Sequence, residues 1–461
     1  MQIHRLIQSI PLTIGILTVG LAPARMYAGV TFTSLFSFNT TNGANPSAEL
    51  LPASDGALYG TTAAGGANGF GTIYRVTTNG ALTTLISFKN TDGASPLAAL
   101  AWGPDGFMYG TAAGGGTNGF GEIFKISTSG TYTPLLSFNG TNGARPHASL
   151  VLGRDGSFYG TTANGGSNGL GTTFRFLTNG TLTNLSSFDT NGNTPYAGLV
   201  QSPDGSFYGT TFQGGTNDYG MAFQLSTNGA IVQSHLLNST NDGANSYASL
   251  IQATDGNFYG TAFYGGAYGY GTVFKMTPAG GFSTLVSFGG TNGAYPQAVL
   301  LQGADGNLYG TTQNGGAFTN QFGTGYGTVF RLTTNGVLTT LVSLQGTNGA
   351  FPRAGLVRGA DGNLYGTTTY GGASDNGTIF RLAFTYPPPP VFQSETTIGA
   401  TIQLTWSAVA GEKYQLQYVT NLNQNAWINL GTTVTATNAS ATASDTVGPN
   451  PRRFYRVLVM P

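Results

Sequence analysis

The sequence predicts an all-β chain: a seven-bladed β-propeller closed by an N-terminal strand, followed by a small β-sandwich. Three observations predict it. The string Asp-Gly-x-(Phe, Leu or Met)-Tyr-Gly-Thr begins at Asp55, Asp105, Asp155, Asp204, Asp255, Asp305 and Asp361, with starts 49 to 51 residues apart except for a last interval of 56. No segment carries a helical period, and 73 glycines oppose one. Repeat character then stops at the Pro-rich stretch from Tyr386 to Pro390.

Residues 1–28 read as a secretory signal peptide. His4 and Arg5 precede an apolar run from Ile10 to Ala22, and small residues at Ala22, Ala24 and Ala28 suit cleavage after Ala24 or Ala28. A membrane anchor needs about 20 uninterrupted apolar residues. Gln8, Ser9, Pro11 and Pro23 leave this run too short, so the mature protein is expected to have no membrane span and to be secreted or held at the cell surface.

Residues 29–384 form the predicted propeller, each unit reading as four strands. In the first complete copy these are Ala98 to Gly103, Phe107 to Ala113, Glu122 to Ser127 and Thr131 to Phe138. Asp105-Gly106 and Ser129-Gly130 supply tight turns, and a Gly-rich loop from Gly114 to Gly121 joins the second strand to the third. Four strands in about 50 residues, repeated seven times, make propeller blades. The fourth-strand pattern of Leu82 to Phe88 and Leu338 to Leu344 also occurs at Thr31 to Phe38, ahead of the first Asp-Gly, and none follows the last third strand at Thr378 to Leu382. The N-terminal strand is therefore expected to complete the last blade and remove the open edges.

Residues 385–390 read as a stiff linker, and residues 391–461 as the sandwich. Its strands are expected at Thr401 to Ser407, Lys413 to Tyr418, Trp427 to Gly431, Ala441 to Thr446 and Phe454 to Val459. With Trp406 early and Phe454-Tyr455 near the end, this segment resembles a fibronectin type III domain.

Two strings carry a further resemblance: Leu-Tyr-Gly-Thr-Thr at 308 to 312, and Gly-Tyr-Gly-Thr-Val-Phe-Arg-Leu-Thr-Thr-Asn-Gly at 325 to 336. They are similar to the GloVer tandem repeat of bacterial exported proteins. The resemblance covers all seven copies and implies an extracellular or surface protein. It brings no catalytic residues with it.

Composition narrows the function. Only 7% of residues are charged and the formal net charge is zero, which leaves no electrostatic footprint for nucleic acid. No cysteine is present, which excludes disulfides, thiolate metal sites and a cysteine nucleophile. The seven motif aspartates read as turn formers rather than calcium ligands, because each lacks neighbouring carboxylates. The basic residues Arg75, Lys125, Arg175, Lys275, Arg331 and Arg381 are expected to pair within the scaffold. With His147 alone in its region, no histidine metal cluster is available, and no cofactor is expected.

Function is then expected where copies differ. Glu49 and Glu122 occupy slots that hold small residues or Thr elsewhere, and are the weak candidates for a catalytic acid and base. The Gly-rich loops of the later copies carry Tyr219, Tyr264, Tyr268, Tyr270, Phe318, Asn320, Gln321, Phe322, Tyr326 and Tyr370, and the connections between copies carry Tyr295 and Phe351. Aromatics among amides suit stacking on sugar or a protein contact. The expected function is a non-enzymatic exported binding or scaffold protein that takes a glycan or a surface protein on one propeller face. The alternatives are a secreted carbohydrate-active enzyme and a structural or adhesive envelope protein.

Overall fold

In a computed structural model, residues 14–16, 29–385, 390–421, 426–446 and 453–460 are described. The proposed cleavage sites and almost all of the linker lie outside them. The described residues contain no helix, so none is long and apolar enough to cross a membrane. Contacts divide the chain into two units, Thr31–Ala383 and Met1–Val30 with Phe384–Pro461.

The larger unit is built of four-stranded sheets, one per sequence repeat. The first runs Leu51–Pro52, Leu58–Thr62, Thr72–Val76, Leu82–Ser87, each strand antiparallel to the next. Five more follow the same plan. The seventh joins Val357–Arg358, Leu364–Thr368 and Thr378–Thr385 to Gly29–Ser37, from the other end of the chain.

Each part of the recurring string has a local cause. At Asp55-Gly56 the glycine takes φ 78°, which suits the turn, while the Asp55 carboxylate accepts the Ala57 N–H at 3.0 Å. The tyrosine hydroxyl reaches back to the same aspartate, as in Tyr109 to Asp105 at 2.9 Å and Tyr259 to Asp255 at 2.7 Å. The next glycine is steric: a Cβ on Gly160 would lie 2.6 Å from Cζ of Phe174 on the neighbouring strand. Third-strand basic residues close the set, with Arg75–Asp55 at 2.8 Å, Lys125–Asp105 at 3.1 Å and Arg175–Asp155 at 2.8 Å. These exposed pairs add about 0–1 kcal/mol each, and they engage the carboxylates within their own sheets.

The motif threonine links one sheet to the next. Thr61 donates to the Ala98 carbonyl at 3.2 Å, Thr111 to Ala148 at 3.3 Å and Thr161 to Ala197 at 2.8 Å. Thr210 to Ala248, Thr261 to Ala298 and Thr311 to Ala354 repeat the bond at 3.1, 3.2 and 3.1 Å. Thr367 of the seventh sheet donates to Ala48 of the first, at 3.4 Å. Apolar packing follows the same order. Tyr59, Ile73 and Phe88 of the first sheet share a core with Met108 and Phe124 of the second, and Tyr365 and Ile379 of the seventh share one with Leu58 and Tyr74 of the first.

Second and third strands are buried almost throughout, and first strands are only two residues long. The predicted Ala98 to Gly103 is thus Ala101–Trp102. Residues ahead of it satisfy their backbone through the threonine bonds and turn contacts rather than through a ladder.

In the smaller unit, Phe392–Ile398, Thr401–Ser407 and Ser440–Thr446 form one sheet. Lys413–Val419, Arg453–Met460, Ile428–Asn429 and Val434–Thr435 belong to another. Both sheets contribute to a core around Trp406, Tyr414 and Tyr455. Within the stretch predicted as a signal peptide only Ile14–Ile16 is described, running parallel to Arg453–Met460.

Candidate functional site

Just ahead of each first strand the chain passes through a conserved geometry. One residue per repeat adopts a left-handed backbone: Asn45, Ser95, Arg145, Thr194, Asn245, Tyr295 and Phe351, with φ between 49° and 59°. Left-handed backbone is costly for a non-glycine residue, and its presence in every copy marks it as architecture. Four residues with alternating directions follow: Ser47-Ala48-Glu49-Leu50 in the first repeat, His147-Ala148-Ser149-Leu150 in the third, Arg353-Ala354-Gly355-Leu356 in the seventh. Ala and Leu are buried in all seven. The other two positions differ from copy to copy.

Those two positions line a cavity. Its wider part, about 370 Å³, is bounded by Ser47, Leu97 and His147 from the first three repeats, Tyr196 and Tyr247 from the next two, and Gln297 and Arg353 from the last two. An adjoining narrower part of about 100 Å³ is reached by Glu49, Ser149 and Ser249. Seven side chains some 50 residues apart in sequence thus converge on one space.

One wall is aromatic. Tyr196 stacks on Tyr247 at 5.2 Å with 17° between planes, and His147 meets Tyr196 edge-on at 4.8 Å. Phe212 packs against both tyrosines, at 5.2 and 4.4 Å. From Tyr247 the rings continue through Phe263 to Tyr264, Tyr295 and Tyr270. Gln297, Arg353, Ser47 and Glu49 add polar groups to the lining, and Leu97 and Val299 add apolar ones.

Electrostatics set the protonation of the lining. Burial pushes the Glu49 carboxyl up to about 8. His147 is pushed down to about 4 by burial, and then by the charge of Arg145. A carboxylic acid that ionises in the unfolded chain near 4.3 but stays protonated in the fold makes stability fall as pH rises between those values. Replacing Glu49→Gln is therefore expected to change stability little at pH 4. It should raise it relative to the parent progressively up to pH 8, by up to about 1.4 kcal/mol per pH unit. Melting curves of both proteins across pH 4–9 check this. The depressed carboxyls of Asp55, Asp105 and Asp155 titrate below that window, and a flat difference would mean that Glu49 is ionised in the fold.

The predicted residues separate into groups. Glu49 lines the cavity, whereas Glu122 is enclosed in the second sheet, accepting the Tyr132 hydroxyl at 3.2 Å, and is absent from the lining. Burial raises its carboxyl to about 7, offset in part by Tyr132. Tyr264, Tyr270 and Tyr295 join the aromatic run. Tyr270 also covers Gly290, as Phe120 covers Gly140 and Tyr326 covers Gly346, so part of their role is scaffold. Tyr219 is half-buried and its carbonyl accepts the Asn245 N–H at 2.8 Å. Phe351 and Tyr370 form an edge-on pair at 6.0 Å. Tyr268 and Phe322 are 66% and 76% exposed, and Phe318 and Gln321 are exposed beside them in sequence on the inserted loop or its neighbour. Asn320 holds its own loop, accepting the Phe322 and Thr324 N–H groups at 3.0 Å each.

Sequence reasoning passed over Tyr196, Tyr247, Gln297 and Arg353. The signal was present: in Xaa-Ala-Xaa-Leu, fixed and variable positions alternate in all seven copies.

The sequence profile of the Gloeobacter/Verrucomicrobia repeat matches residues 24–202, 97–237 and 199–387. No curated protein matches the chain. Among solved structures, puromycin hydrolase is 14% identical with a TM-score of 0.51, the match covering 85% of this chain and 62% of that one. The extracellular domain of a protein described as a hybrid two-component system from B. thetaiotaomicron is 12% identical, TM-score 0.49, over 93% of this chain and 55% of that one. A lectin from Burkholderia pseudomallei is 12% identical, TM-score 0.49, over 77% of this chain and 99% of that one. At 14% identity the likeness to puromycin hydrolase concerns the fold alone.

Proposed function

The chain belongs to the Gloeobacter/Verrucomicrobia repeat family, and from that premise we propose that it is an exported, non-catalytic binding protein whose cavity and surrounding rings take a glycan. The repeat unit is, on this reading, a seven-bladed propeller closed by Gly29–Ser37. The return of the threonine bond from Thr367 to Ala48 supports that closure. The C-terminal unit acts as a fibronectin type III-like spacer or attachment module.

The observation that carries the reading is the convergence of one variable side chain per repeat on a cavity lined by packed aromatic rings and by polar side chains. Stacking surfaces with amide and hydroxyl partners are what a sugar requires. A cavity of about 370 Å³ falls within the range of small-ligand sites.

A glycan array probed with the full chain tests it. Tyr247→Ala is expected to weaken binding at least tenfold, whereas unchanged binding in that variant together with loss in Tyr268→Ala or Phe322→Ala would move the site to the outer loops. A blank array would favour a structural or adhesive role. A second reading, a carbohydrate-active enzyme, draws on Glu49, whose raised carboxyl suits a general acid. Release of products from a polysaccharide panel, abolished in Glu49→Gln, would establish it.

A further inference from the structure

Arg353 stands apart among the cavity's lining residues. It is the one permanently charged side chain there, and its Nε is buried without a hydrogen-bond partner. Among the described residues no carboxylate pairs with it, although its sister cations on the third strands of the sheets face the motif aspartates. Its charge bears on the hydroxyl of Tyr247, which stacks on Tyr196. A buried donor left unsatisfied is costly. That Nε is itself covered, so the donors left for a ligand are the terminal amino groups of the guanidinium, on a side chain that lines the cavity.

The acceptor that fits a guanidinium is a planar oxyanion. Its fork of N–H groups matches a carboxylate through two parallel bonds, and such charged bonds are roughly twice as strong as neutral ones. Nothing in the lining cancels the charge. Glu49 is the only acidic residue among the lining, and burial raises its carboxyl to about 8, so it is mostly protonated at neutral pH. Arg145 lies outside the lining, but its charge is felt at His147, which borders the cavity.

We propose that the cavity takes an acidic saccharide, a hexuronate unit that packs beside Tyr196 and Tyr247 while its carboxylate accepts from the Arg353 guanidinium. This rests on the glycan-binding reading and narrows it to a substrate class.

Titration calorimetry of the full chain with oligogalacturonate and oligoglucuronate, each beside its methyl ester, provides the test. Esterification removes the charge and keeps the sugar. The intact protein is expected to bind at least one of the acids at least tenfold more tightly than its ester. In Arg353→Gln the two forms should differ by less than twofold, with ester binding retained, and Arg353→Lys should restore part of the preference. Equal binding of acid and ester by the intact protein would overturn the acidic class and leave the glycan reading standing. Equal loss of both in Arg353→Gln would make Arg353 structural and also overturn it. If other glycans bind the array but neither uronate is held, the proposal fails alone; if nothing binds, both fail.

Discussion

A chain lacking residues 30–38 is expected to melt far below the intact protein and to associate in solution. The outer strand of the seventh sheet is Gly29–Ser37, and its removal takes away more than a ladder of hydrogen bonds. Phe32 stacks on Phe380 at 5.0 Å. Phe38, with no exposed surface, packs with Leu50, Leu58 and Tyr74 of the first sheet and with Tyr365 and Ile379 of the seventh. Losing one such ring costs about 3–5 kcal/mol, a large part of the roughly 5–15 kcal/mol by which whole domains are stable. The deletion also bares Thr378–Thr385 as an open edge, which recruits other chains. Calorimetry and light scattering check both effects. Should the deletion fail to fold, Phe38→Ala keeps the strand and still tests the packing, through a drop in melting temperature without association. An unchanged melting temperature in a monomeric deletion would remove the case for a closed ring.

The repeat was legible because the string that marks it is local. Asp-Gly forms the turn, Tyr returns to the Asp, and Gly admits a ring, all within one sheet. What each residue does for its neighbour sheet was not legible. Thr61 bonds to Ala98 across 37 positions, and no periodicity of 2 or 3.6 reports such a bond. The same limit hid the cavity. Tyr196 and Tyr247 sit at equivalent places in successive copies, but only the packing of one sheet beside the next brings them to stack. Aromatics flanked by glycines were the more legible, because their flanking residues imply exposure. Of these, Tyr264, Tyr270 and Tyr295 connect to the cavity wall, and Phe322 stands free of it. Glu49 and Glu122 both broke the repeat pattern for visible reasons. Gly355 leaves room for Glu49 from the seventh repeat, and Ala112 stands where four other sheets place the Thr that pairs with a third-strand Thr.

The smaller unit should be the more fragile of the two, and Asp445→Ala is expected to unfold it. Asp445 lies on Ser440–Thr446, with its side chain 3% exposed. It accepts from Arg453 and, at 2.7 Å, from the hydroxyl of Tyr455, both on Arg453–Met460 of the other sheet. The bonds therefore tie the two sheets across their shared core. Burial, and after it the bond to Asp445, holds the Tyr455 hydroxyl well above its usual ionisation range. Truncation leaves a buried guanidinium with no counter-charge and a hydroxyl with no acceptor, a loss of about 3–5 kcal/mol. Units below about 70–80 residues seldom have more than that to lose. Tyr455→Phe removes one hydrogen bond and keeps the ion pair, so it should cost only about 1 kcal/mol. Proteolysis of the full chain separates the outcomes. Asp445→Ala should be trimmed to a resistant fragment ending near Thr385, and Tyr455→Phe should resist like the parent. Equal resistance in all three proteins would mean that the sheets are held by the Trp406 core alone, and that the buried pair fixes their register rather than their stability.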